Sequence, residues 1–186
     1  TDERFDVIVL SLADAYRPVA SGAYSLAEDH RYTVEAFSDY VALLRNGGLL
    51  AIPRWLQVPP SEGLRAFAIA VEAVGQAGGA PRTDIVALRS YQLMLILVRA
   101  GAFADDELVA IRGFAAERAF DLVRLPDLRV EEANQYNVLA RPDYYYAVQE
   151  LLDSGDRPAW YRSYRYRVDP PTDDRPFFAH YFKWSQ

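Results

Sequence analysis

The residues best suited to chemistry cluster in the loop Ser11-Leu12-Ala13-Asp14-Ala15-Tyr16-Arg17-Pro18, directly after the apolar run Phe5-Asp6-Val7-Ile8-Val9-Leu10. Asp14 can orient or deprotonate an amine nucleophile. A loop aspartate serves equally well as a turn cap, its carboxylate accepting backbone N–H groups. Ser11 stands first in the loop, but a serine hydroxyl is no base near neutral pH without an activating partner. Tyr16 joins the binding candidates of this loop. Arg54 and Trp55 follow a second apolar run, Leu49 to Ile52, where Arg54 can hold a carboxylate and Trp55 can cover an adenine or an amine. Packing of that segment on a neighbouring helix explains the same pair, because tryptophan buries a large area readily. Asp173 and Asp174, in Thr172-Asp173-Asp174-Arg175-Pro176, can present two carboxylates to a polyamine or a metal. They also fit a turn in which Asp side chains accept backbone N–H groups and Arg175 pairs with one of them.

The elements that must position these residues follow from periodicity. Phe5–Leu10 is continuously apolar and β-branched, the habit of a strand buried on both faces of a parallel sheet. Val34, Phe37, Val41 and Leu44 repeat at helical spacing between about 29 and 45, and Asn46-Gly47-Gly48 predicts the helix end. A strand over Leu49–Ile52 then stops at Pro53. Strand, helix, Gly-Gly and strand make a crossover unit, hence a parallel pair. Pro59-Pro60-Ser61 predicts a helix start with Ser61 as cap, and Leu64, Phe67, Val71 and Val74 line that helix before Gly78-Gly79. The strand-like runs Ile85–Leu88 and Leu93–Val98 lie close enough for a hairpin, so this end of the sheet turns antiparallel. Asp105-Asp106-Glu107 suits a helix start, Phe120–Leu125 an edge strand, and Arg141-Pro142-Asp143 a last helix through about Leu152. The expected fold is one α/β domain, residues 1–186. It is a partial Rossmann-like sheet with helices on both faces, an antiparallel end and an irregular tail over 156–186 packed on the body. Ligands of such sheets bind beyond the carboxyl ends of the strands, where the loop from Ser11 lies.

Composition narrows the partners. A net charge of −6 and a pI near 5.0 speak against a nucleic-acid backbone as the main partner. The absence of cysteine excludes disulfides and thiolate metal sites, and His30 and His180 are too far apart in sequence to suggest zinc. No metal site is expected, and no apolar run approaches the roughly 20 residues of a membrane-spanning helix. The aromatic segments Tyr144-Tyr145-Tyr146 and Phe177–Trp184 match either a membrane-interface girdle or a tail covering the core.

Phe5-Asp-Val-Ile-Val-Leu-Ser-Leu-Ala-Asp14, followed by Pro18 and Ser21, resembles the spermidine synthase segment that runs strand, Asp-Ser-x-Asp-Pro, then x-Gly-Pro-x-x-Ser. Gly47-Gly48-Leu-Leu and Thr172-Asp-Asp-Arg-Pro176 are similar to membrane-attached members of that family. The resemblance implies the methyltransferase and spermidine synthase type of Rossmann-like fold, which when whole binds S-adenosylmethionine or its decarboxylated form. It also implies aminopropyl transfer to an amine in a longer parent protein, on the cytoplasmic side of an integral membrane protein. Two departures matter. The family's first aspartate, which activates the amine, falls on Ser11, while Asp14 matches the second. The glycine-rich loop and the acidic ribose-binding residue have no counterpart in residues 1–186, since Gly47-Gly48 and Gly78-Gly79 each follow a helix.

This chain, which begins at Thr1 and enters a strand almost at once like an excised piece, is therefore expected to bind no cofactor alone and to be inactive alone. Its expected partners are the upstream half of the parent domain and a second copy, paired through the bare edge of the first strand. A non-catalytic binding or regulatory module of a membrane protein, or a methyltransferase on the same fold, would share these features.

Overall fold

The structure is a computed structural model and describes residues 3–12 and 27–183. Its centre is a five-stranded sheet in the order β1-β2-β4-β3-β5, formed by β1 (Phe5–Val9), β2 (Leu44–Trp55), β3 (Ile85–Arg89), β4 (Leu93–Arg99) and β5 (Asp121–Arg124). β1 and β2 run parallel, and every other neighbouring pair is antiparallel. The helices are α1 (Val34–Ala42), α2 (Glu62–Gln76), the single turn α3 (Pro81–Asp84), α4 (Asp105–Glu117), α5 (Asp143–Asp153) and α6 (Arg157–Ser163). The crossover from β1 to β2 and the β3–β4 hairpin are those the periodicity predicts.

Alternation along the strands divides the core in two. Leu50, Ile52, Ile85, Ala87, Met94, Ile96 and Val98 point to one face, where they pack with α1, α2 and α5. Val86 and Leu88, with Leu49, Leu95 and Leu97 beside them, point to the other, where α4 contributes Leu108 and Ala115. Residues two apart share a face because a strand's side chains alternate. α2 is buried almost all round, from Glu62 to Val74, since sheet, α1, α5 and the tail surround it, and even its charged Glu62 and Arg65 are enclosed.

Four expectations are corrected. The second strand does not stop at Pro53 but continues to Trp55, with Pro53 opposite Leu95. The Leu10 N–H donates to the Ala51 carbonyl, so Ala51 and, two residues on, Pro53 turn their main-chain groups towards β1. β1 has ended there, and proline's missing N–H interrupts no ladder bond. The first helix ends at Ala42, not at Arg45, and Gly47-Gly48 lie inside β2 at its irregular start, where pairing jumps from Phe5↔Leu44 to Val7↔Leu49. Ser61 occupies the helix-cap position, but its hydroxyl donates to Gln57 Oε1 and caps nothing. The tail opens with a true helix, α6, held at its start by Asp156 accepting the Ala159 N–H.

β1 also departs from expectation. Its run is apolar throughout, yet Phe5, Val7 and Val9 are 43%, 56% and 61% exposed. Among the described residues no strand lies beyond it. β5, the opposite edge, is buried along its length. There Asp121 accepts the backbone N–H groups of Tyr136 and Asn137 and pairs with Arg89, so a loop covers that edge.

Gly48 fixes the approach of β1 to β2. A Cβ at this position would lie 2.9 Å from the Phe5 carbonyl oxygen and 3.0 Å from that of Arg45, both backbone atoms that cannot swing away. Gly48→Ala is expected to lower the unfolding free energy by about 1–3 kcal/mol, the usual range for overpacking. A shifted urea midpoint at unchanged slope would register this; an unshifted midpoint would refute it.

Candidate functional site at the carboxyl ends of the parallel strands

Because β1 and β2 are parallel, their carboxyl ends share one edge of the sheet. Ser11 is exposed and Leu12 half-buried at the end of β1. Asp14 and Tyr16 lie outside the described residues. From β2, Arg54 and Trp55 arrive at the same edge on opposite faces, Arg54 buried and Trp55 half-buried.

Arg54 anchors a buried cluster. Its Nε donates to Glu62 Oε1 at 2.7 Å, and its Nη2 donates to the same oxygen. The guanidinium carbon lies 4.6 Å from the centre of the Tyr32 ring and 5.0 Å from that of Phe178, two rings stacked at 4.6 Å. A weakly hydrated planar cation over aromatic faces suits such a site. Burial works against the charge on Arg54, but Glu62 and Tyr32 outweigh it and raise its pKa above the ordinary value. Burial likewise raises the Tyr32 phenol, with Arg54 opposing. The carboxylate that Arg54 holds is thus Glu62, within the protein.

The segment after β2 is fixed from below. Gln57 donates its backbone N–H to the Tyr144 hydroxyl at 3.0 Å, and that hydroxyl donates to the Gln57 carbonyl at 2.8 Å. The Gln57 side chain donates to the Tyr181 hydroxyl at 3.1 Å. Tyr144 and Tyr181 are both buried, and burial raises the Tyr144 phenol far above its ordinary range. These aromatics, with buried Phe178, cover the core; Phe182 remains exposed.

Asp173 and Asp174 do not converge. Asp173 Oδ1 accepts the Thr33 hydroxyl at 2.7 Å, and its backbone N–H donates to Glu35 at 3.1 Å. Thr33 in turn caps α1 by accepting the Ala36 N–H. Thr172 and Arg175 close a turn, the Arg175 N–H donating to the Thr172 carbonyl, but Asp173 serves a side-chain hydroxyl rather than that turn. Asp174 is exposed and lines an open cleft of about 960 Å³ with Arg65, Arg162, Arg167, Arg175 and Lys183. Cations outnumber carboxylates along that wall, an environment that repels a polyamine. No cluster of three or more metal-ligating side chains occurs among the described residues.

Several residues here carry no motif that could have flagged them. Tyr32, Gln57, Glu62 and Phe178 come from four separate segments. The i, i+8 separation of Arg54 and Glu62 across a turn has no periodic signal. Arg65 is the largest omission: its Nε donates to the Asp169 carbonyl and its Nη1 reaches those of Phe177, Phe178 and His180, all within 3.0 Å. Burial lowers its pKa to about 10, far enough above neutrality to keep it charged.

The glycines that could cradle a nucleotide serve packing instead. Gly47 lies against the Arg99 guanidinium and Gly48 against β1, and a Cβ on Gly79 would meet the Asp84 carboxylate and Val74. These residues do not fit a sulfonium nucleoside by themselves. No helix among the described residues is long and apolar enough to cross a membrane. Comparison with protein-family models, curated proteins and solved structures finds no match to this chain. The α/β class, with a five-stranded mixed sheet, is defined by the fold itself.

Proposed function

We propose that the chain is the carboxy-terminal half of a Rossmann-like transferase domain of the spermidine-synthase type. In the whole parent protein this domain transfers an aminopropyl group from decarboxylated S-adenosylmethionine to an amine; alone, the chain is inactive. The observation that carries this reading is the strand arrangement. A parallel pair, joined by a crossover helix, stands at one edge of the sheet and continues into an antiparallel end. The turn leaving Leu10 therefore opens at the carboxyl edge, where ligands of doubly wound sheets bind. The exposed apolar β1 supports it too, because such a strand belongs inside a larger sheet. The upstream polypeptide would supply the nucleoside site and the crevice's other wall. Asp14 would orient the amine, and the Arg54–Glu62 cluster would hold the floor beneath it.

Ser11, exposed where the family's amine-activating aspartate falls, favours a second reading: a domain that keeps the fold and binds ligand or partner on a membrane-attached parent without transfer. Calorimetry on the full-length parent with S-adenosylmethionine and with its decarboxylated form separates these possibilities. Heat with the decarboxylated form and product with an amine support transfer. Heat without product, restored by Ser11→Asp, supports the binding module. No heat with either nucleoside overturns the transferase reading and the ligand-binding form of the second.

A further inference from the structure

We propose that the cleft between α6 and the carboxy-terminal tail binds a small polyvalent phosphate, a di- or triphosphate group, through the guanidinium groups of Arg162, Arg167 and Arg175. This goes beyond the transferase reading and does not rest on it. Five cations line the cleft, these three with Arg65 and Lys183, against the two carboxylates of Asp169 and Asp174, an excess of three. The chain as a whole carries a net charge of −6, so the excess is local to this wall. A concave surface of one sign concentrates its field and draws the opposite charge into the recess.

The cations differ in the donors they have left. Lys183 Nζ donates to the Tyr161, Arg162 and Tyr164 carbonyls at the end of α6. Its three N–H groups are thereby used, and it contributes charge alone. Arg65, 3% exposed, directs Nε and Nη1 to four tail carbonyls. Its Nη2 makes no hydrogen bond among the described residues, yet it is not sealed from solvent; the solvent that Arg65 lines is this cleft. Arg162 and Arg175 are exposed, and neither guanidinium has a hydrogen bond or ion pair among the described residues. Arg167 Nη1 meets only His180 Nδ1, at 3.4 Å. Asp169 and Asp174 do not neutralise these groups, because both are exposed and neither forms an ion pair among the described residues.

A guanidinium fork takes phosphate oxygens two at a time, which a single ammonium does not. Two linked phosphates carry about three negative charges near neutral pH, in balance with the lining. A volume of about 960 Å³ suits a small molecule, and Pro170, Pro171 and Phe177 supply an apolar wall for an organic group attached to the phosphates.

Isothermal titration calorimetry of the chain with sodium pyrophosphate, in about 50 mM salt to limit screening, tests the proposal. Pyrophosphate is expected to bind one to one, at least about tenfold more tightly than orthophosphate or citrate. Arg162→Ala and Arg175→Ala should each weaken it by at least about tenfold, since each removes a charge-assisted contact. Both side chains are exposed, so the fold should survive their removal. Arg118→Ala, which deletes the same charge at the end of α4, should bind as the unaltered chain does. In the unaltered chain, pyrophosphate should also slow phenylglyoxal modification of Arg162 and Arg175 but not of Arg118, read by mass spectrometry. That arm needs no variant to fold. No heat with pyrophosphate, citrate bound equally well, undiminished binding in the cleft variants, an equal loss in Arg118→Ala, or no protection of the two arginines would each overturn the proposal.

Discussion

Arg65→Met is expected to unfasten the carboxy-terminal tail and lower the unfolding free energy by at least about 3 kcal/mol. Four carbonyls, those of Asp169, Phe177, Phe178 and His180, converge on one buried guanidinium. Each acceptor left unsatisfied in the interior costs about 1–3 kcal/mol, reduced where water enters. The tail has other attachments. The Asp29 N–H donates to the Pro176 carbonyl and the Val34 N–H to that of Pro171, so loosening should begin near Phe177. Lysine at 65 restores a charge but not the planar fork, and should fall between methionine and arginine. Urea denaturation measures the loss, and trypsin cleavage after Lys183 reports the freed segment. Equal stability and equal cleavage in the methionine variant would refute the clamp.

The second large effect is at Arg54 and Glu62. Glu62→Leu strands the Arg54 guanidinium, 3% exposed, without its carboxylate, and about 3–5 kcal/mol should be lost. Arg54→Met/Glu62→Leu removes both charges and leaves a thioether against Tyr32 and Phe178, so the double variant should recover most of that loss. The asymmetry follows from desolvation: a buried pair contributes little over apolar packing, whereas half a pair is expensive. A complete double-mutant cycle by denaturation tests this. Costs that simply add would show that Glu62 is not the partner that matters.

Local signals made much of the frame legible. Phe5–Leu10, the helical spacing of Val34, Phe37 and Val41, and the close spacing of Ile85–Leu88 and Leu93–Val98 announced a parallel pair and an antiparallel hairpin, because period and turn chemistry act over a few residues. Pro53 misled, since whether proline ends a strand depends on the neighbour its missing donor would face. Ser61 misled similarly: Gln57 competes for its hydroxyl, and no spacing rule weighs such a competitor. The site was the least legible part. Arg65 meets carbonyls more than a hundred positions away, and the Arg54 cluster joins four segments. Main-chain acceptors carry no residue type, so no pattern of side chains can advertise them. Arg54 itself was visible as a carboxylate-holding candidate just past the second apolar run, but neither its place inside the strand nor its partner was.

Pro53 has a further consequence for how this sheet can grow. Past Leu10, the rim of β2 that looks towards β1 offers a pyrrolidine ring where an extending neighbour would seek a donor. Ladder pairing along that rim therefore lacks one donor just beyond the end of β1.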